Sequence, residues 1–256
     1  VFLFSPLLIG LFAGGGWNLA GLWLSIAAMA AFLSRQPLTI AVKAYSGRRS
    51  RRDLPAAAFW TGVYGVLGLL AVAQLILLGY SFLLLLALPG VPVFAWHLFL
   101  VSRRAERRQL AVELVGTGVL ALAAPAAYWV GVGSPDPMGW WLFGLTWFQS
   151  AASIVYAYLR LEQRGLDEMP DVHVRLKMGR RALLYTTFNF LAVTGFSLAG
   201  WLPALLPLAY AVQWLESLWG ALVRPAVGYK PTAIGFRQLA VSTLFTAVFI
   251  LAWQFS

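Results

Sequence analysis

Ionisable side chains inside apolar stretches are the first candidates for chemistry, because burying such a group in a bilayer costs several kcal/mol. His97, Glu113 and Glu216 occupy such positions. His97 and Glu113 flank one basic loop and fall at similar depth on neighbouring helices, close enough to pair, and Glu216 falls at comparable depth in a later stretch. Together they could line a cavity open to the cytoplasm and relay protons or hold a substrate. Equally, each could pair with a loop arginine such as Arg103, Arg108 or Arg224. Weakly polar residues recur at helical spacing nearby: Thr146, Gln149, Ser150, Ser153 and Tyr156; Thr186, Thr187, Thr194 and Ser197 with Asn189; and Tyr210, Gln213, Glu216 and Ser217. Lipid cannot hydrogen-bond them, so these stripes face the bundle interior, where they either line a ligand cavity or join helices. Gln149, Asn189 and Gln213 therefore join His97, Glu113 and Glu216 as cavity candidates.

Two further groups carry charge outside the apolar stretches. Asp167 and Asp171, four residues apart, would share one face of a helix and could hold Mg²⁺ against substrate phosphates; as an ordinary acidic patch they would neutralise Arg164, Arg175 and Lys177. Arg48, Arg49, Arg51 and Arg52 could grip a diphosphate or anionic lipid headgroups. Other chemistry is excluded: the chain has no cysteine, hence no disulfide, thiolate-held zinc, iron–sulfur cluster or thiol catalysis. Of its two histidines, His173 lies in a charged stretch, which argues against a bis-histidine haem.

The elements that position these residues are membrane helices. The chain is 61% hydrophobic and 11% charged, with a mean hydropathy of +0.77, whereas soluble domains run nearer half apolar and a quarter charged. Its apolar runs are too long for barrel strands. About nine spans are expected, near 1–14, 17–42, 56–78, 79–102, 109–131, 139–160, 181–200, 202–223 and 236–254, in a single transmembrane domain covering 1–256. Pro37 is expected to kink the second span or end its membrane portion. Gly62, Gly65 and Gly68, with Gly116 and Thr117, read as close helix-packing faces. The first stretch would be about 20 Å long, short of the ~30 Å hydrocarbon core, so the natural protein is expected to carry an N-terminal extension.

All 19 Lys and Arg residues fall in alternate loops of this scheme or in the span ends that adjoin them, on one side throughout, which places the N-terminus in the cytoplasm and the C-terminus outside. Trp17, Tyr80, Trp129, Trp140, Trp141 and Trp201 then form the outer interfacial belt. The net charge of +10 belongs to topology and anionic-lipid contact; nucleic acid is not an expected partner.

Several stretches resemble the YwiC-like family of bacterial membrane proteins: SPLLIGL at 5–11, FLSRQPL at 32–38 with the arginine-rich loop Gly47–Asp53, and RRAERR at 103–108 leading into ELVG at 113–116. The resemblance implies the span pattern and the inner (cytoplasmic) membrane of a bacterium; it implies no established activity. A nine-helix bundle with a cytoplasmic N-terminus also resembles the UbiA-type prenyltransferases, whose two Asp-rich loops, after spans 2 and 6, hold an isoprenoid diphosphate through Mg²⁺. Asp167–Asp171 falls at the second of these positions, whereas the first reads Gly-Arg-Arg-Ser-Arg-Arg-Asp, with one acid, Asp53.

The leading expectation is a non-catalytic accessory subunit of a larger membrane complex, respiratory or photosynthetic, holding a lipid or an isoprenoid quinone. The alternatives are a UbiA-like transferase using Mg²⁺ and a transporter with His97, Glu113 and Glu216 as its relay. The topology has a direct test. Ser134→Cys and Ser50→Cys, in this cysteine-free chain, should label from opposite sides of intact cells, Ser134→Cys from outside. Equal outside labelling at both positions would overturn the scheme.

Overall fold

A computed structural model describes residues 2–103 and 110–256; Arg104, Arg107 and Arg108 of the basic loop lie outside the described residues. Every regular element among the described residues is helical. In order these are α1 (Phe4–Ala13), α2 (Leu19–Tyr45), α3 (Leu54–Leu77), α4 (Leu84–Ser102), α5 (Leu110–Ala121), α6 (Ala123–Val132), α7 (Pro137–Gln163), α8 (Val172–Leu198), α9 (Pro207–Leu218) and α10 (Pro231–Gln254). Among the described residues, five stretches are long and apolar enough to cross a membrane: Leu19–Tyr45, Arg51–Leu77, Ser81–Ser102, Val112–Val132 and Pro231–Gln254. By these helices the chain is a multi-pass membrane protein.

Local sequence explains where the helices depart from the expected spans. α2 continues through Pro37 to Tyr45, with the proline unable to donate to the Leu33 carbonyl. The expected span at 109–131 is two helices, because Pro125 cannot donate to the Ala121 carbonyl, and a turn at Leu122 separates α5 from α6. α8 begins at Val172, nine residues before the expected span, so His173, Arg175, Lys177, Arg180 and Arg181 are helical. A helix can carry charged turns beyond its apolar segment, which hydropathy alone reads as loop.

The chain forms two compact units, Pro6–Phe143 and Gly144–Ser256 with Val1–Ser5. In the first, Leu7, Leu11, Leu24, Leu75, Leu86, Leu122 and Trp129 meet in one apolar core. Trp129 is 4% exposed and donates its indole N–H to the Asp136 carbonyl at 2.8 Å. It is a core residue, unlike Trp17, Trp140 and Trp201, which remain exposed as interfacial rings would. α1 packs so tightly on α6 that a Cβ on Gly10 would strike the Ala124 carbonyl, and one on Gly131 the Gly14 carbonyl. The expected packing face on α3 is absent: Gly62 and Gly65 face open space, as does Gly116, and only Gly68 approaches a neighbour, the Ala30 Cβ.

These opposite environments separate backbone propensity from packing. Gly131→Ala should cost about 1–3 kcal/mol through overpacking. Gly62→Ala should be neutral or slightly stabilising, since alanine is the better helix former by about 1 kcal/mol. Thermal unfolding in detergent measures both; equal effects would contradict the described α1–α6 contact.

Candidate functional site: the polar core of α7 to α10

Within Gly144–Ser256, Glu216 on α9 is held from two sides. Arg237 of α10 donates Nε to Oε1 at 2.6 Å and Nη2 to Oε2 at 2.7 Å, a bidentate pair. The Tyr156 hydroxyl of α7 donates to Oε1 at 2.8 Å. Arg237 also stacks over the Trp219 ring, 4.0 Å from its centroid. The Glu216 side chain is 8% exposed and that of Arg237 39%, so the carboxylate is buried while the guanidinium reaches the edge. The partner of Glu216 is therefore Arg237. The expected candidate, Arg224, instead offers its backbone carbonyl to a different cation.

That cation is Arg160, read in sequence as a loop charge but 1% exposed. Its Nη1 donates to the Gly220 carbonyl at 2.7 Å, the Arg224 carbonyl at 2.8 Å and Gln163 Oε1 at 3.0 Å. The first two carbonyls belong to the π-helical turn Trp219–Val223 and its cap. A helix C-terminus carries partial negative charge, so Arg160 is stabilised by peptide dipoles, with no carboxylate among its hydrogen-bond partners in the described residues. It lies between the Tyr156 and Tyr229 rings, 5.9 and 5.8 Å from their centroids. Gln163 completes the fastening by accepting from the Ala226 N–H at 3.1 Å. The polar stripe on α7 thus runs 149, 153, 156, 160, 163, one continuous helix face. The signal was present in the spacing, but a stripe stopped at Tyr156 omits Arg160 and Gln163, each 1% exposed.

The remaining cavity candidates of this unit join helices. Gln149 donates Nε2 to Gln213 Oε1 at 3.4 Å, and Gln213 Nε2 to Ser217 Oγ at 3.3 Å. Asn189, 4% exposed, donates to the Phe148 carbonyl at 2.9 Å. Asp167 and Asp171 do not share a helix face. Asp167 is in a bend and Asp171 is the residue before α8, both exposed, because α7 has ended at Gln163 and Pro170, between the two acids, disfavours helix at Met169.

Within Pro6–Phe143, Arg35 donates Nε to His97 Nε2 at 3.4 Å. Glu113 is exposed in the first turn of α5, where a carboxylate suits the helix dipole. Arg48 donates to the Val101 carbonyl in the last turn of α4, and Arg49 pairs with Asp53 at 2.5 Å. Arg51 and Arg52 are exposed. Beneath this cluster a groove of about 370 Å³ runs between α2 and α3, walled by Leu33, Pro37, Ile40, Ala57, Trp60 and Tyr64, with Arg49 and Asp53 at its rim. Among the described residues, no three His, Asp or Glu side chains lie together as a metal-binding group.

A family model described as YwiC-like protein matches residues 1–128, half of the chain. The chain belongs to the YwiC-like family. Neither curated proteins nor solved structures gave a match. The YwiC-like segment holds the arginine cluster, the groove, His97 and Glu113, whereas the Glu216–Arg237 core lies beyond the matched residues.

The polar core makes asymmetric demands on its members. Arg237→Met should cost about 3–5 kcal/mol, since it leaves a buried carboxylate uncompensated. Glu216→Gln should cost less, about 1–3 kcal/mol, because the amide can still accept from Tyr156 and the partly exposed Arg237 can reach water. Thermal unfolding in detergent tests the order; a larger loss for Glu216→Gln would reverse the assignment of which charge depends on the other.

Proposed function

We propose that the chain is a non-catalytic accessory component of a larger membrane assembly that holds an anionic, phosphate-headed lipid in the groove between α2 and α3. The observation that carries this reading is the groove itself. Its volume falls within the range of small-molecule sites, about 300–1,000 Å³. Its walls are mainly apolar side chains of membrane helices, with Gln36 among them, and Arg49 and Asp53 line it, next in the chain to the exposed Arg51 and Arg52. An acyl or isoprenoid tail matches the walls. A phosphate matches the exposed guanidinium groups of Arg51 and Arg52, which bind such groups through paired N–H donors. Arg49 is divided between this role and Asp53, and Arg48 between this role and the end of α4. Pro37 lies in the groove wall, where the Leu33 carbonyl lacks its helical donor and leaves a polar spot in an apolar surface.

The accessory role is supported by how little of these helices the chain covers. The apolar windows of Leu19–Tyr45, Arg51–Leu77 and Ser81–Ser102 are each only 11% buried, against 56% for Val112–Val132. Such surface suits lipid and neighbouring subunits. The basic-loop bias supports a nine-span arrangement with a cytoplasmic N-terminus, which puts the groove mouth at the cytoplasmic leaflet, where anionic lipids concentrate.

Native mass spectrometry after gentle detergent extraction tests the reading. The wild-type chain should retain a phosphate-headed lipid and co-purify with other membrane subunits. Removing two guanidinium groups in Arg51→Ala/Arg52→Ala should weaken lipid retention by about 2 kcal/mol, roughly thirtyfold. Lys177→Ala/Arg180→Ala, with the same loss of charge on α8, should leave retention unchanged. Equal loss in both double variants would reduce the effect to net charge and remove the groove from the explanation.

A further inference from the structure

Aspartate at the start of a helix ordinarily accepts a hydrogen bond from a first-turn backbone N–H. Asp53, the residue before α3, makes no such bond. The capping is done upstream, where Ser50 Oγ accepts from the Arg52 N–H at 3.3 Å and opens the turn Arg51–Asp53 that runs into α3. The Asp53 carboxylate is thus spare to the helix, and it lines the groove between α2 and α3 together with Arg49. Arg49 donates Nε to Asp53 Oδ2 at 2.5 Å, with the two side chains 47% and 41% exposed. This contact engages one nitrogen and one oxygen. Among the described residues, no donor reaches Asp53 Oδ1 and no acceptor reaches the two terminal nitrogens of Arg49.

The groove mouth therefore offers open guanidinium donors and, close beside them, an open carboxylate oxygen. Arg49, Arg51 and Arg52 against Asp53 leave it net positive, which suits a ligand that is anionic overall. A bare phosphate on Arg49 would sit beside a like charge and lose binding energy to it. A phosphodiester whose head carries hydroxyls answers both groups. Its phosphate takes the guanidinium N–H donors, and a hydroxyl donates to Asp53 Oδ1 in a charge-assisted hydrogen bond. An ammonium head would also suit Asp53, but it makes the lipid zwitterionic and meets Arg51 and Arg52 with like charge. On the lipid reading of this groove, we propose that the occupant is an anionic phosphodiester lipid with a polyol head, and that Asp53 selects that head by accepting from one of its hydroxyls.

The test uses the full chain in detergent, titrated with short-chain phosphatidylglycerol, phosphatidic acid or phosphatidylethanolamine and read by native mass spectrometry. Phosphatidylglycerol should bind about tenfold more tightly than phosphatidic acid, the scale of one hydrogen bond to a charged group. Phosphatidylethanolamine should also bind more weakly than phosphatidylglycerol. Asp53→Ala should fold, because Ser50 holds the cap, and should bring the two anionic lipids to equal affinity. If Asp53 merely steadied Arg49, the substitution would weaken both lipids alike and keep their ratio; that result would overturn the proposal. Equal binding of phosphatidylglycerol and phosphatidic acid by the wild-type chain, or a preference for the amine head, would overturn it too while leaving the groove a lipid site. Absence of binding by all three lipids would overturn the lipid reading itself, and the selection by Asp53 with it.

Discussion

A hydrocarbon environment offers no hydrogen-bond partner, so each polar group that the sequence sends inward must be met by another part of the chain. Glu216 shows how much structure this single constraint can organise. Its two carboxylate oxygens take donors from α7 and α10, so three helices converge on one residue. An apolar side chain at 216 would remove the contacts by which α7 and α10 meet on this residue. The buried ion pair is not strong evidence for net stability, because desolvation offsets much of its Coulombic attraction. What it supplies is register: bidentate geometry tolerates little displacement along the helix axis.

The same constraint accounts for Gly220. A Cβ there would meet the Tyr156 hydroxyl, so the π-helical turn can approach α7 only if residue 220 has no side chain. The widened turn, in turn, presents the carbonyls that Arg160 collects. Tyr156, Arg160, Glu216, Gly220 and Arg237 therefore depend on one another, and changing any of them disturbs contacts of the others. Residues so coupled give non-additive effects when substituted in pairs.

Much of the helical class was legible in the sequence, since long apolar runs and one-sided basic loops are one-dimensional signals. The polar stripes were legible too: Gln149, Asn189, Gln213 and Glu216 are all buried. Partner identity was not. Arg224 is closer to Glu216 along the chain than Arg237, yet the path of the backbone from Trp219 to Pro231 brings Arg237 back to the carboxylate. Arg160 was missed because charge at a span end ordinarily marks the membrane boundary, and nothing in composition distinguishes a boundary arginine from one capping a neighbouring helix. The break at Leu122 needed only Pro125 to be weighed against an otherwise uniform apolar run.

The Glu216–Arg237 pair also imposes an order on how the chain is assembled. Glu216 is synthesised before Arg237, so α9 forms with its acid lacking the guanidinium that later holds it. During that interval Tyr156, already made, is the one side chain of its final set that can reach it. The arrival of α10 then converts a poorly tolerated segment into a fixed one. In this light α10 works as a latch, and the preceding helices remain provisional until it closes.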